Sequence, residues 1–380
     1  MDDRLAAILR AVGPAEVARI AAGALGLASV ADPGTIRCHG ILKPHADART
    51  IGIVHASGTA LLDTGPRDWS SVVKIIDTAV EGRFNGASIP ENEEAIYERG
   101  YFAGSGLSFR PARCYHISRP SDTLKLLWLE DLTQEKGPPF EIGELAQMVR
   151  HLGEWNALNA VAPPELGLAT GRDYPIQRWQ YWQFPARVDE MARLSGDPSV
   201  RAMYARQPIE TAREFVELFA ILNSRSADLP HVLSFGDGPI GNYFYTPRET
   251  IAVDWSGLSV DPLGADGGCF IGSALTWGRR FADVAQHEKD LFNSYASAII
   301  EGGVRTNRRT LRAAYLAHLG FYLGTITIFP TMIAGPLALL APEFLEKRFE
   351  MRLEEYGDHA SRVIDYLPSY IAEARELLAV

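Results

Sequence analysis

Cysteine is scarce in this chain, and basic residues never cluster. Cys38, Cys114 and Cys269 are the three cysteines in 380 residues; they lie far apart, are odd in number and form no C-x-x-C pair. This argues against a disulfide framework or a zinc knuckle and fits a reducing, cytoplasmic setting. Lysine and arginine total 37 against 47 aspartates and glutamates, a formal net charge of −10. With no block of five or six basic residues, no nucleic-acid partner is expected. An acidic chain tolerates a cationic substrate, although net charge says little about which one. H-E-x-x-H, G-x-S-x-G and any metal-spaced Cys/His set are also missing, so zinc-hydrolase and serine-hydrolase chemistry have no local support. A secretory leader is not expected, because Met1 to Arg10 carries Asp2, Asp3 and Arg4, and Gly13-Pro14 and Glu16 break the apolar run that follows.

Apolar residues make up 47% of the chain, enough to bury a core in one large or two ordinary domains. The run from Ala313 to Ala341 holds no charged residue and has the length of a membrane span. Pro330 and Gly335-Pro336 cut it, however, and His318, Thr325 and Thr327 sit inside it. The expectation is a buried helix pair in a helical lobe, and no membrane partner.

The stretch from Leu233 to Asp266 looks built for chemistry. Asp237 and Asn242 precede a β-rich run to Tyr245; a Pro247-Arg248-Glu249 turn leads into a second run, Thr250 to Val253, which ends at Asp254. A hairpin of that kind would set Asn242 and Asp254 side by side, with Asp237 a short loop away. An amide oxygen and a carboxylate suit Mg²⁺, a hard cation that fills its remaining positions with phosphate oxygens and water. A nearby free carboxylate can accept a proton from an attacking hydroxyl. Gly236, Gly238 and Gly241 also satisfy G-x-G-x-x-G. A dinucleotide fingerprint needs a helix after the glycines, whereas Asn242 to Tyr245 continues as β and Pro239 sits in the loop, so that reading is set aside.

Upstream, residues 5 to 30 show helical spacing and predict two short helices. Candidate strands follow at Ile36 to Leu42, Ile51 to Leu62 and Ser71 to Ile76. Lys74 stands in an otherwise apolar run. If buried it needs an anionic partner; alternation along the strand could instead turn it to solvent. Ser88 to Tyr97 carries helix-start signals, a cap candidate, an early proline and the acids Glu93 and Glu94. Those acids serve either the helix dipole or a lysine partner. Strands near Arg113 to Ser118 and Thr123 to Glu130 lead to a polar boundary at Thr133 to Pro139. Beyond it the chain turns helical, at Phe140 to Asn159 and Thr211 to Asn223. The aromatics Tyr174, Trp179, Tyr181, Trp182 and Phe184 line a pocket or form core.

D-x-x-x-x-N followed by a strand-end aspartate, with Val253-Asp254-Trp255, Asp261-Pro262 and Asp266 after it, resembles the aminoglycoside phosphotransferase and choline kinase branch of the protein-kinase-like phosphotransferases. Order and gaps agree from about residue 35 to about residue 280. The resemblance implies an α+β, two-lobed protein-kinase-like fold: a small antiparallel β-sheet N-lobe, residues 1–132, and a larger mainly helical C-lobe, residues 133–380. It implies ATP and Mg²⁺ as cofactors and a small-molecule hydroxyl as acceptor, on an amino sugar, aminoglycoside, amino alcohol or similar compound. Asp237 would be the catalytic base, Asn242 and Asp254 the metal ligands and Asp266 the support of the catalytic loop. Lys74 would hold the nucleotide phosphates, paired with Glu94 in preference to Glu93, and backbone groups near Glu130 and Leu132 would meet the adenine. Two features depart from the branch. Phe235 stands where a histidine is usual, two residues before the catalytic aspartate. The phosphate-covering loop is poor in glycine, which would leave Lys43, His45 and Arg49 or backbone amides to help. Both departures favour the alternative, a catalytically inactive nucleotide-binding protein on the same fold.

Overall fold

The computed structural model describes residues 3–42, 49–80, 83–84, 87–88, 92–101, 107–161, 183–194, 196, 209–226, 229–236, 238–277, 281–328, 331 and 352–378. The fold is α+β, an antiparallel sheet followed by a mostly helical remainder. The chain forms two compact units. The first comprises Met1–Ser105, Arg110–Lys136 and Ile251–Ser256, the second Gly106–Phe109, Gly137–Thr250 and Gly257–Val380. A single cut at 132 therefore does not describe the division. Chain order cannot show that the segment around Asp254 packs with residues far upstream.

The first unit opens with helices α1 (Asp3–Arg10) and α2 (Pro14–Leu25). Pro14 begins α2 where its missing N–H would have found no partner. Gly26 ends it in the left-handed region at φ 67, where its N–H bonds to Gly23 O and that of Leu27 to Ala22 O. Strands β1 (Arg37–Leu42), β2 (Thr50–Leu62) and β3 (Gly65–Asp77) follow, then the short β4 (Arg83–Phe84) and β5 (Ala87–Ser88), helix α3 (Asn92–Glu98), β6 (Phe109–Pro111, whose first residue belongs to the second unit), β7 (Cys114–Ser118) and β8 (Leu124–Leu129). Five of these strands make one antiparallel sheet in the order β1-β2-β3-β8-β7.

β3 starts at Gly65, well before the expected Ser71, because a tight turn after Leu62 pairs Leu62 with Gly65 and continues the register through Thr59 and Asp68. Arg67 and Asp68 disguise this part of the strand; Asp68 is used there by the Thr59 hydroxyl at 2.6 Å. Val54, Ala56, Val73, Ile75 and Trp128 face α1 and α2 and bury Leu9, Ile20 and Ala21 between the layers. Full burial of each large apolar side chain contributes about 1.5–3 kcal/mol. Lys74 pairs across the sheet with Ile53 and Leu127, so alternation places it on the face opposite Val73 and Ile75.

The second unit contains α4 (Ile142–Val161), α5 (Phe184–Leu194), α6 (Ile209–Ser226), β9 (His231–Ser234), β10 (Tyr243–Tyr245), β11 (Thr250–Ala252, whose last two residues belong to the first unit), β12 (Ser259–Pro262), α7 (Ala265–Trp277), α8 (Phe281–Glu301), α9 (Arg308–Ile328) and α10 (Leu353–Leu378). β9 and β12 pair antiparallel, from Ser234 with Ser259 to His231 with Pro262. The charge-free run suspected of spanning a membrane begins in α9, which is buried from Ala314 through Ile328 and packs on α6, α7 and α10. Among the described residues no helix is long and apolar enough to cross a membrane; residues 329–330 and 332–341 of the run lie outside them. Arg312 joins three helices: it donates to Glu288 of α8 at 2.5 and 2.8 Å and to Glu373 of α10 at 2.7 and 2.8 Å, and its guanidinium lies over the rings of Phe292 and Tyr315.

Candidate active site

The first unit gathers two carboxylates, those of Glu93 and Asp254, around Lys74. The strand buries Lys74 to 8% exposure, which excludes the solvent-facing alternative. Its ammonium donates to Glu93 Oε2 at 2.5 Å and to Asp254 Oδ1 at 2.8 Å. Burial alone would lower the Lys74 pKa, but the two carboxylates outweigh it and hold the lysine charged, above its ordinary value. The charge of Lys74 holds the Asp254 carboxyl below its ordinary value. Burial moves Glu93 the other way, upward. Asp254 keeps 44% of its side chain exposed and occupies the left-handed region at φ 62. A non-glycine residue there stores roughly 1–3 kcal/mol, a pattern that concentrates at functional sites. Its Oδ1 also accepts from the Ser256 hydroxyl at 3.0 Å. Glu93 Oε1 and the Tyr97 hydroxyl, one helical turn apart on α3, are buried without a hydrogen-bond partner among the described residues.

The structure corrects the expected partner of Lys74. Glu94 does not reach the lysine; it pairs with Arg49 at 3.1 Å, both side chains buried. Adjacent residues on a helix point about 100° apart, so α3 can send one glutamate to the central strand and the next to the start of β2. The lysine-strand sequence cannot distinguish the two.

The run after β8 is held mainly by its own side chains. Glu130 takes Arg110 at 2.7 Å and the Arg113 N–H at 3.0 Å, and its own N–H donates to Arg113 O. The Glu130 N–H is therefore committed within the sheet. Leu132 is buried, and its carbonyl accepts from the Glu135 N–H. Asp131 bonds to His55 Nε2 at 2.9 Å. Burial raises the Asp131 carboxyl, but hydrogen bonds from Ser70, Thr133 and His55 outweigh it and hold it at about 2.

In the second unit, Asp266 organises the loop after β9. It begins α7 fully enclosed and accepts the Ser234 hydroxyl at 2.5 Å, the Phe235 N–H at 3.1 Å, the Gly236 N–H at 3.2 Å and Asn156 Nδ2 at 2.8 Å. Burial pushes its carboxyl above the ordinary range despite these donors. Phe235 is buried in an aromatic cluster, 6.2 Å from Phe109 edge-on and 5.4 Å from Tyr243. The Phe235 ring is held by packing, and the polar anchoring falls to the Ser234 hydroxyl and the N–H groups of Phe235 and Gly236. Gly236 sits at φ 72, and a Cβ there would lie 2.1 Å from Gly257 O. A Cβ at Gly238 would instead meet Cys269, and Gly241 has open space around it; Ile240–Asn242 forms a single 3₁₀ turn and passes straight into β10. Asn242 donates its N–H to Pro239 O at 2.8 Å.

Among the expected site residues, Lys74 and Asp254 come together in the first unit. Asn242 and Asp266 lie in the second unit. Asp237, the loop residues Lys43 and His45, and Tyr174, Trp179, Tyr181 and Trp182 lie outside the described residues. Phe184 is core, stacked on Phe321. Sequence reading missed Asn156, Ser234 and Ser256, and expected Arg49 to help at the phosphates, whereas its guanidinium pairs with Glu94. For Asn156 a signal existed: it follows Trp155 in the apolar phase of α4, where a polar residue must find a buried partner.

No family model matches the sequence, and no curated protein matches it. Among solved structures, the chain is similar to a choline/ethanolamine kinase family protein from Mesorhizobium loti, at 14% identity over 95% of this chain and 98% of that one, with a TM-score of 0.49. It is similar to a Plasmodium vivax ethanolamine kinase at 10% identity over 88% and 83% of the two chains, with a TM-score of 0.48. It is also similar to amicoumacin kinase hAmiN, solved with AMP-PNP, Ca²⁺ and Ami, at 12% identity over 84% and 88%, with a TM-score of 0.47. At these identities and scores the likeness assigns no activity to this chain.

Proposed function

We propose that the protein transfers the γ-phosphoryl group of ATP to a hydroxyl of a small molecule. The observation that carries this reading is Lys74, a buried ammonium on a central strand, held between Glu93 of the next helix and the backbone-strained Asp254. Two carboxylates engage two of the three donors of an ammonium. A cation so held is suited to phosphate oxygens, and the buried Glu93 Oε1 and Tyr97 hydroxyl, without a hydrogen-bond partner among the described residues, fit a site that a ligand or water completes.

A divalent cation belongs to this reading: Asp254 is ionised and partly exposed, and it and Asn242 would be the ligands, a carboxylate and an amide oxygen of the kind Mg²⁺ takes. When bound, Mg²⁺ would neutralise charge on the phosphates. Lys74 steadies those phosphates and Glu93 fixes the direction of the ammonium. Asp237 orients the acceptor hydroxyl and takes its proton as that oxygen bonds to the γ-phosphorus; the bond to the β–γ bridging oxygen breaks, and ADP leaves. Positioning and charge neutralisation supply most of such catalysis.

Asp237→Asn should lower kcat about 10²–10⁴-fold while thermal stabilisation by Mg-ATP persists. The assay is ATP consumption with amino sugars, amino alcohols and nucleosides as acceptors; unchanged turnover removes Asp237 as the base. The second reading is a nucleotide-binding protein without turnover, which Phe235 favours. It predicts Mg-ATP stabilisation with no ATP consumption against any acceptor.

A further inference from the structure

Behind the loop that leads to Asp237 runs a chain of buried polar side chains for which phosphoryl transfer itself has no direct use. Tyr295 of α8 donates its hydroxyl to Asn156 Oδ1 at 2.7 Å. Asn156 of α4 directs Nδ2 to Asp266 Oδ2 at 2.8 Å and to the Leu233 carbonyl at 3.4 Å. Asp266 of α7 then receives three consecutive positions of the loop: the Ser234 hydroxyl and the N–H groups of Phe235 and Gly236. Tyr295 and Asn156 are both fully buried.

Chemistry fixes the direction of each link. A carboxylate with several donors around it accepts only, so the amide must turn its nitrogen toward Asp266 and its oxygen toward Tyr295. The tyrosine hydroxyl must then donate. Such groups are expensive to bury, and apolar residues of the same shape would serve packing alone as well or better. Three helices each contribute one polar group, and all converge on the backbone that enters Asp237.

We propose that Tyr295 and Asn156 are positioning residues. Through Asp266 they set the path of residues 234–236, the backbone that immediately precedes Asp237. The proposal rests on the reading of Asp237 as the base.

The test uses the full chain with Tyr295→Phe, which deletes one hydroxyl, and Asn156→Leu, which keeps the shape of the amide. Each variant is measured for kcat, for KM for ATP well below its unfolding temperature, and for hydrogen exchange at the Phe235 and Gly236 amides. The expected result is a kcat lower by about 100-fold, the scale of a small misplacement of a reacting group, with KM for ATP little changed and faster exchange at both amides. A folded Tyr295→Phe variant with wild-type kcat and exchange overturns the proposal, and it decides the matter even if Asn156→Leu does not fold. If the wild-type protein transfers phosphoryl to no acceptor, the reading of Asp237 fails separately. The exchange data then still judge the relay: unchanged protection at residues 235 and 236 overturns it.

Discussion

Two adjacent glutamates on α3 have different partners, and this is where single residues decide most. Glu93 holds Lys74, and Glu94 holds Arg49. Replacing Glu93 by Gln keeps the shape but weakens the grip on a lysine that still has Asp254, so kcat/KM for ATP should fall by about 10-fold or more, the scale of one charge-assisted hydrogen bond. Replacing Glu94 by Gln removes the carboxylate charge that faces the buried Arg49 guanidinium. It should cost about 3 kcal/mol of stability while catalysis of the folded fraction stays near wild type. Denaturant unfolding and steady-state kinetics on both variants check this pair. The opposite pattern would place Glu94 in the nucleotide site. That the acidic helix start would matter was legible in the sequence; which acid faces the lysine was not, because one residue of helical phase decides it.

Among the elements, the loop from β9 to β10 is the most constrained. Its direction is set by Asp266, by the aromatic packing of Phe235 and by the backbone of Gly236 lying against Gly257. Gly236→Ala would need both a left-handed alanine and displacement of the Gly257 carbonyl. The expected loss is roughly 2–4 kcal/mol, read as a lower urea midpoint, and a midpoint equal to wild type would show that the loop can move aside. The glycine pattern itself was visible in the sequence. The reason for Gly236 was not, because the neighbour that forbids a side chain there is 21 residues away in the chain and adjacent only after β9 and β12 pair.

For the whole molecule, acid stability follows from groups buried in each unit. Burial lowers the His318 pKa from 6.5 to about 4, with its hydrogen bond to Ala314 opposing only in part; burial lowers His151 in the same direction. The folded protein resists protonation at these sites while the unfolded chain accepts it. Stability from this source is therefore complete above pH 6.5 and declines as pH falls toward about 4, with His318 accounting for about 3 kcal/mol. Asp131 adds a second decline, between its ordinary value of 3.8 and about 2. Thermal unfolding from pH 7 to pH 4 should show the first decline in the wild type. It should be much smaller in His318→Asn, whose amide can still donate to Ala314. Equal slopes in the two proteins would remove His318 as the source.

The sequence by itself determined the class of the chain, the main strands and helices, the lysine on a central strand and the order of its acidic motifs, because periodicity and turn chemistry are local. It also made a membrane span in the 313–341 run unattractive, since proline, glycine and polar residues interrupt it. Tertiary structure alone decided that Asp254 packs with Lys74 rather than with its sequence neighbours in the second unit, that Glu93 is the lysine's acid, and that Asn156 and Tyr295 stand behind the loop at Phe235. Each of these depends on which distant segments meet. The physical reason is the same in all three: a buried charge or amide takes its partner from whatever the packed helices and strands bring within hydrogen-bond reach.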